Sequence, residues 1–276
     1  MSVRSRPRPA TISALISDVD GTLVTDDKRL TERTCTAVAR LRDAGIAFTI
    51  ISSRPPRGLR MLIEPLRLNA PLAAFNGGLL VTPELVVTGE PHFLLPPVAR
   101  RAIDFLHGRC ADVWLFTADE WRVRDANGAY VPREERTVRF APRVVADFAD
   151  TEHVGKVVGV SEDFELLRRL EIDARAAFKD EAAVARSQPY YLDFTHPLAN
   201  KGVAFSALAK LLALREERIA VIGDGMNDIA MFERAGMSVA MGNGFPEVRR
   251  AARFVTASNG QDGFAQAVDQ FVLQQA

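Results

Sequence analysis

The sequence predicts an α/β fold, a Rossmann-like parallel-sheet core with helices on both faces, plus an inserted α+β domain. Three observations carry that prediction. At both ends of the chain, short apolar runs alternate with longer amphipathic stretches, the rhythm of βαβ units. Between Pro83 and about Thr195 the rhythm changes to close-spaced strand-like runs joined by short turns. Two acid-bearing segments, each directly behind an apolar run, lie roughly two hundred residues apart, on either side of that middle stretch.

The elements follow in chain order. SALIS (13–17) reads as a strand, TERTCTAVARLRDAG (31–45) as an amphipathic helix, IAFTII (46–51) as a strand, 56–67 as a helix and PLAAF (71–75) as a third strand. The middle contributes a helix near 96–108, strand-like DVWLFT, EWRVRD and KVVGV, a helix near 163–178, and strand-like AVARS and YYLDF. Residues 130–150, with Pro132 and Pro142, resist assignment. The late α/β part opens with KGVAFSALAKLLAL (201–214), which sets Ala204, Ala207, Leu208, Leu211 and Leu212 on one helical face. RIAVIG, a helix through MNDIAMFERAG, SVAM, RFV and a helix near 262–273 complete it. The expected organisation is a disordered tail over 1–9, an outer domain from 10–82 and 196–276, and an insert over 83–195.

At 276 residues and 47% hydrophobic composition, the chain is long enough to bury a core in each of two domains. Lys plus Arg and Asp plus Glu both number 35, so no net positive field is available to gather nucleic acid or anionic lipid. Neither a nucleic acid nor a membrane is an expected partner. Cys35 and Cys110 stand far apart without a CxxC, which disfavours a disulfide framework or structural zinc and suits a reducing cytoplasm. The opening MSVRSRPRPA has arginines but no apolar stretch behind them, unlike a secretory signal. No heptad or apolar stripe fixes an assembly, so a monomer or a homodimer is expected.

The chemistry concentrates in a few short stretches. In LISDVDGTLVTD (15–26), Asp18 and Asp20 stand two positions apart at a strand end, where residues i and i+2 share a side. Two carboxylates that close repel unless one is protonated or a cation sits between them. Turn chemistry around Gly21 is the plain alternative; an EF-hand is excluded by Leu23 and Arg29, where that loop requires Gly and Glu. RIAVIGDGMNDIAMF (218–232) repeats the layout, with Asp224 at the strand end and Asn227 and Asp228 in the first helical turn. If the two strands are neighbours, Asp18, Asp20 and Asp224 converge and call for a hard divalent ion, Mg²⁺ being the natural candidate. Ser52, in IISSRPP (50–56), offers a hydroxyl and free N–H groups to a phosphate, or serves as a plain N-cap. Lys201 in PLANKGVAF opens a helix, where a cation opposes the dipole and needs an anionic partner or simple exposure to explain it.

DVDGT, the serine after the second strand, NKG and GDGMND, in that order, resemble the four motifs of the haloacid dehalogenase superfamily. The layout is similar to its Cof-type phosphatases, which carry a large C2 (type IIB) α/β cap between the second and third motifs. The resemblance implies that the outer domain is the catalytic core and the insert the cap. It implies Asp18 as nucleophile and metal ligand, and Asp20 as general acid/base with its main-chain carbonyl on the metal. It implies Asp224 and Asp228 as further metal residues, and Ser52, Lys201 and Asn227 at the transferring phosphoryl group. Ser53 stands where relatives often have Gly, which leaves Ser52 or Ser53 as the phosphate contact, Ser52 by register. Asn76, in AFNGGLL, matches an Asn-Gly often close to the substrate in the family, although Asn-Gly is also a common hairpin turn.

The expected activity is Mg²⁺-dependent hydrolysis of small-molecule phosphate monoesters, sugar phosphates or phosphorylated cofactors, through an aspartyl-phosphate. Asp20 argues for phosphate over haloacid, because a departing halide needs no proton donor. The alternatives are a phosphomutase or phosphotransferase using the same intermediate, and a non-catalytic metabolite-binding protein on this fold. Arg124, Arg133, Arg139 and Lys156 in the middle domain, and Asp193 and His196 flanking the return crossing to the outer domain, are polar residues of open role.

Overall fold

The computed structural model describes residues 11–109 and 112–275; the expected tail over 1–9, and Cys110, lie outside them. In chain order the first elements are β1 (Ala14–Ser17), α1 (Glu32–Asp43), β2 (Ala47–Ile50), α2 (Arg60–Leu66), β3 (Leu72–Ala74), β4 (Leu79–Val81) and β5 (Val87–Thr88). Next come α3 (Pro96–Leu106), β6 (Asp112–Phe116), β7 (Trp121–Val123), α4 (Val131–Val138), β8 (Arg143–Val144), β9 (Lys156–Val160), α5 (Phe164–Phe178), β10 (Ala183–Gln188) and β11 (Tyr191–Thr195). The last are α6 (Lys201–Leu211), β12 (Ile219–Gly223), α7 (Ile229–Phe232), β13 (Met237–Ala240), α8 (Pro246–Ala251), β14 (Phe254–Val255) and α9 (Gly263–Ala267). They divide into two compact units, one running to Ile51 and adding Pro65–Pro71 and the chain from Lys201, the other holding Ser52–Glu64 and Leu72–Asn200.

The first unit is a parallel sheet in the order β14-β13-β12-β1-β2. β1 is central, and every residue of it is buried, as a strand covered on both faces requires. Burying Leu15 and Ile16 is worth roughly 2–3 kcal/mol each. α1 starts on Thr31, whose hydroxyl accepts from the Thr34 amide, and turns Ala37, Val38 and Leu41 inward. It packs on β2 and α9, while α7 and α8 pack on β12 and β13 and α6 packs on α7. Ser17 stands opposite Ile222 in the register of β1 and β12, so the two strands end side by side. That alignment is what the sequence requires for its two acid-bearing segments to meet.

The second unit holds a mixed sheet, β10-β11-β9-β6-β7-β8, antiparallel except for β7 with β8. α3 and α5 cover one face, formed by Val113, Leu115, Val157, Leu192 and Phe194. The other face carries Trp114, Phe116, Trp121 and Tyr191 in mutual ring contact. α4 falls in the stretch that resisted assignment; Pro132 sits in its first turn, where no N–H is needed.

PLAAF forms β3, which pairs antiparallel with β4, Leu72 opposite Val81 and Ala74 opposite Leu79, while the Ala73 carbonyl accepts from the amide of Ser52, on the segment that follows β2, at 2.9 Å. Asn76, at φ 56° and ψ 21°, lies in the four-residue connection 75–78 between them, a longer reversal than the two-residue Asn-Gly hairpin turn. The 56–67 helix divides into a 3₁₀ turn over Pro56–Leu59 and α2. The helix expected through MNDIAMFERAG is short, a 3₁₀ turn over Met226–Asp228 followed by α7.

Candidate active site

The candidate site stands at the carboxyl ends of β1 and β12. Beyond β1 the Asp18 amide still bonds the Ile222 carbonyl at 2.9 Å, which extends the ladder by one residue before the chain turns. The turn is tight, with the Val19 carbonyl accepting from the Leu23 and Val24 amides at 2.9 and 3.1 Å. Gly21 sits at φ +84°, and a Cβ there would strike the Asp224 carboxylate. Only glycine permits both the conformation and the approach.

Asp18, Asp224 and Asp228 each bring a carboxylate oxygen within 4.8 Å of the others. Asp228 is fully buried and uses its two oxygens differently. Oδ2 accepts from the Asp224 and Gly225 amides at 2.9 and 2.8 Å, the capping role expected of an acid in a first helical turn. Oδ1 accepts from Lys201 Nζ at 2.5 Å, and the same ammonium donates to Asp18 Oδ1 at 2.5 Å. Lys201 is 1% exposed at the first position of α6, so Asp18 and Asp228 are the anionic partners its placement required. Gly202 makes this possible: a Cβ there would lie 2.9 Å from the Ala230 carbonyl, so glycine lets α6 close on α7 and carry Lys201 under the acids.

Three carboxylates gather around one ammonium that bonds two of them, an excess of two negative charges in a cluster where Asp18, Asp228 and Lys201 are buried and Asp224 is partly exposed. Each like-charged pair at 4.8 Å costs roughly 3 kcal/mol at an effective dielectric of about 20. Burial therefore pushes the Asp18 carboxyl well above the usual range, with Asp228 and Asp224 adding to the rise and Lys201 opposing it. Burial, then the Asp228 charge, lifts Asp224 to about 6, although Thr22 Oγ1 donates to its Oδ1 at 2.9 Å. Burial pushes the Lys201 ammonium down, but Asp18 and Asp228 outweigh it and raise it overall. The donor set is all oxygen, anionic and preassembled, and its charge excess matches a dication; these residues fit Mg²⁺.

Asp20 is not one of the trio. Its carboxylate accepts from Lys28 Nζ at 2.7 Å, and its charge adds to the rise at Asp224, so it stands beside the trio without belonging to it. β1 ends at Ser17, so the alternation that puts i and i+2 on one side no longer applies at 18–20. Asn227 lies exposed in the same turn as Asp228 and outside the trio.

Ser52 and Asn76 belong to the second unit. Ser52 follows Ile51, whose amide bonds the Ser17 carbonyl at 2.9 Å. It is buried; its hydroxyl accepts from the Arg54 amide at 3.1 Å and its carbonyl from the Asn76 amide at 2.7 Å. It is not the N-cap of the turn behind it, since Pro55 holds that position. Three residues near the acids went unrecognised in the sequence: Thr22 on Asp224, Lys28 on Asp20, and Asn243, whose Nδ2 donates to the Gly21 carbonyl at 2.8 Å. An Asn between glycines directly after a strand, in MGNGFP, was the available signal for the last.

A family model described as haloacid dehalogenase-like hydrolase matches residues 15–268. A Streptococcus pyogenes serotype M6 protein with a provisional phosphatase name is 32% identical over 95% of this chain and 99% of its own. The Bacillus subtilis 5-amino-6-(5-phospho-D-ribitylamino)uracil phosphatase YitU is 29% identical, over 92% of this chain and 95% of its own. Among solved structures, a haloacid dehalogenase-like hydrolase from Bacteroides thetaiotaomicron superposes with a TM-score of 0.85 at 28% identity, covering 94% of this chain and 99% of that one.

Proposed function

The chain belongs to the haloacid dehalogenase-like hydrolase family, and from that membership we propose that it is a Mg²⁺-dependent phosphatase of small phosphate monoesters. One observation carries the reading: a buried lysine tied to two of three converging aspartates, at the carboxyl ends of adjacent parallel strands. The curated relatives add to it, since YitU and the Klebsiella pneumoniae HMP-PP phosphatase are both named for phosphate substrates.

Asp18 is the nucleophile. One of its oxygens attacks phosphorus, the bond from phosphorus to the leaving oxygen breaks, and an aspartyl-phosphate forms. Asp20 donates a proton to the departing oxygen, then takes one from the water that hydrolyses the intermediate. Lys201 holds Asp18 by one hydrogen bond and supplies positive charge beside the phosphoryl oxygens. Asp18, Asp224 and Asp228, with the Asp20 carbonyl, would hold Mg²⁺, which when bound would neutralise phosphoryl charge. Ser52, in preference to Ser53, and Asn227 are assigned to the phosphoryl oxygens and Asn76 to the substrate side. Residues 83–195 are assigned the choice of leaving group.

The test is a phosphate-release screen over several dozen phosphorylated metabolites, with Mg²⁺ and with chelator, for wild type and Asp18→Asn. Release that needs both Mg²⁺ and Asp18 is the expected result. Chelator-insensitive release, or wild-type turnover by Asp18→Asn, refutes it. Phosphate recovered on an acceptor hydroxyl, in place of free phosphate, would make the enzyme a phosphotransferase.

A further inference from the structure

Four segments far apart in sequence are joined by two asparagine side chains. Asn243 Nδ2 donates to the Gly21 carbonyl at 2.8 Å and to Asp224 Oδ2 at 3.4 Å, and its Oδ1 accepts from the Asn259 amide at 2.9 Å. Asn259 is buried, and its own Nδ2 donates to the Val24 carbonyl at 3.1 Å and to Asp26 Oδ1 at 3.0 Å. Gly21, Val24 and Asp26 lie on the loop that carries Asp18 and Asp20, so the pair grips that loop at three points and Asp224 at a fourth.

The backbone around Asn243 is built for this reach. A Cβ on Gly242 would lie 2.9 Å from the Thr256 carbonyl, and one on Gly244 would lie 3.0 Å from that of Asp224. Both glycines let the loop after β13 press against its neighbours. The amides also have a direction. Exchanging oxygen and nitrogen in Asn243 would set donors against the Asn259 N–H and lone pairs against the Gly21 carbonyl and the Asp224 carboxylate. The carboxylate needs such help, because folding brings it beside two others of like charge. A neutral donor offsets part of that repulsion without adding a positive charge that would compete with a metal.

We infer that Asn243 and Asn259 are positioning residues, which hold the Asp18–Asp20 loop at a fixed spacing from Asp224 and so set the affinity of the carboxylate site for a divalent cation. The inference rests on the metal reading above. Hydrogen-bonding partners of metal ligands typically govern affinity by about 10- to 100-fold.

The test uses Asn243→Leu and Asn259→Leu, which keep approximate size and lose the Nδ2 donors without adding charge. Mg²⁺ affinity is read by calorimetric titration of the whole protein, beside thermal midpoints in chelator. Mg²⁺ binding about 10-fold or more weaker in both is the expected result, the greater loss falling on Asn243→Leu, which releases both the Gly21 carbonyl and Asp224. Affinities within twofold of wild type in either variant would overturn the assignment, as would a fall in chelator midpoint with affinity unchanged. Wild type itself supplies a second measurement should a variant not fold. Adding Mg²⁺ should slow hydrogen exchange at the Asn259 amide, which donates to Asn243, and unchanged exchange there counts against the clamp. Wild type that binds no Mg²⁺ at all ends the metal reading, and this inference falls with it; wild-type binding with unaffected variants ends only the inference.

Discussion

Asp224→Asn should make the metal-free protein more stable while destroying its metal site, and the gain should depend on pH. Burial and the Asp228 charge lift the Asp224 carboxyl from 3.8 to about 6 in the folded state. A carboxyl raised on folding exacts no penalty below the unfolded value of 3.8, where both states hold the proton. The penalty grows as pH rises from there and is complete above about 6. Its ceiling is about 3 kcal/mol, at 1.36 kcal/mol per pKa unit. Two local changes modify it. Asn keeps an acceptor for Thr22 Oγ1, but its NH₂ would meet the Asn243 NH₂ that now donates at 3.4 Å, giving back up to about 1 kcal/mol. The net gain is about 2 kcal/mol at pH 8, or roughly 4–8 °C in thermal midpoint for a chain of this size. Thermal unfolding in chelator from pH 4 to 8, wild type beside variant, reads it directly. Near pH 4 the variant should lie level with wild type or up to about 1 kcal/mol below it, the balance should turn in its favour as pH rises, and Mg²⁺ at pH 8 should raise the midpoint of wild type alone. A variant less stable than wild type at pH 8 in chelator, or a gap that does not change with pH, would refute the reasoning.

Lys201→Met removes the ammonium bonded to Asp18 and Asp228 and should cost about 3–5 kcal/mol at pH 8, with a smaller loss at pH 5, below the value of about 6 at which Asp224 gives up its charge; denaturant unfolding at the two pH values measures it. Gly21→Ala places a Cβ against the Asp224 carboxylate at a positive φ and should lose about 1–3 kcal/mol and most Mg²⁺ binding; retention of wild-type metal affinity would show that the loop yields. The Mg²⁺-induced rise in wild-type thermal midpoint should shrink as pH falls from 8 to 5, because protons compete for a carboxyl that titrates near 6; a rise constant across that range would exclude Asp224 as a ligand.

Much of the site was legible in the sequence because it is written in local patterns. An acid directly behind an apolar run implies a strand end, and two such runs in a parallel sheet imply a meeting. Lys201 at a helix start was legible as a charge needing a partner, although the sequence named none. Other features were not legible. Asp20 pairs with Lys28 in the turn beyond β1, a contact that the strand's period of two does not foretell. PLAAF carries the apolar signal of a strand, but the antiparallel partner it gains in β4 is not written in that signal. Asn243 and Asn259 are ordinary loop residues until the chain is folded; their partners on the loop after β1 lie more than two hundred residues away, beyond the range of any periodicity.

The amino-acid order alone determined the element types, the parallel arrangement of the outer domain and the identity of the acids, because apolar spacing and glycine placement act over a few neighbouring residues. Which carboxylates share a cation, which lysine answers each of them, and which amides hold the loop in place were decided only by tertiary structure. Charge interactions depend on distance through space and on the exclusion of water, and neither exists until β1 and β12 lie side by side.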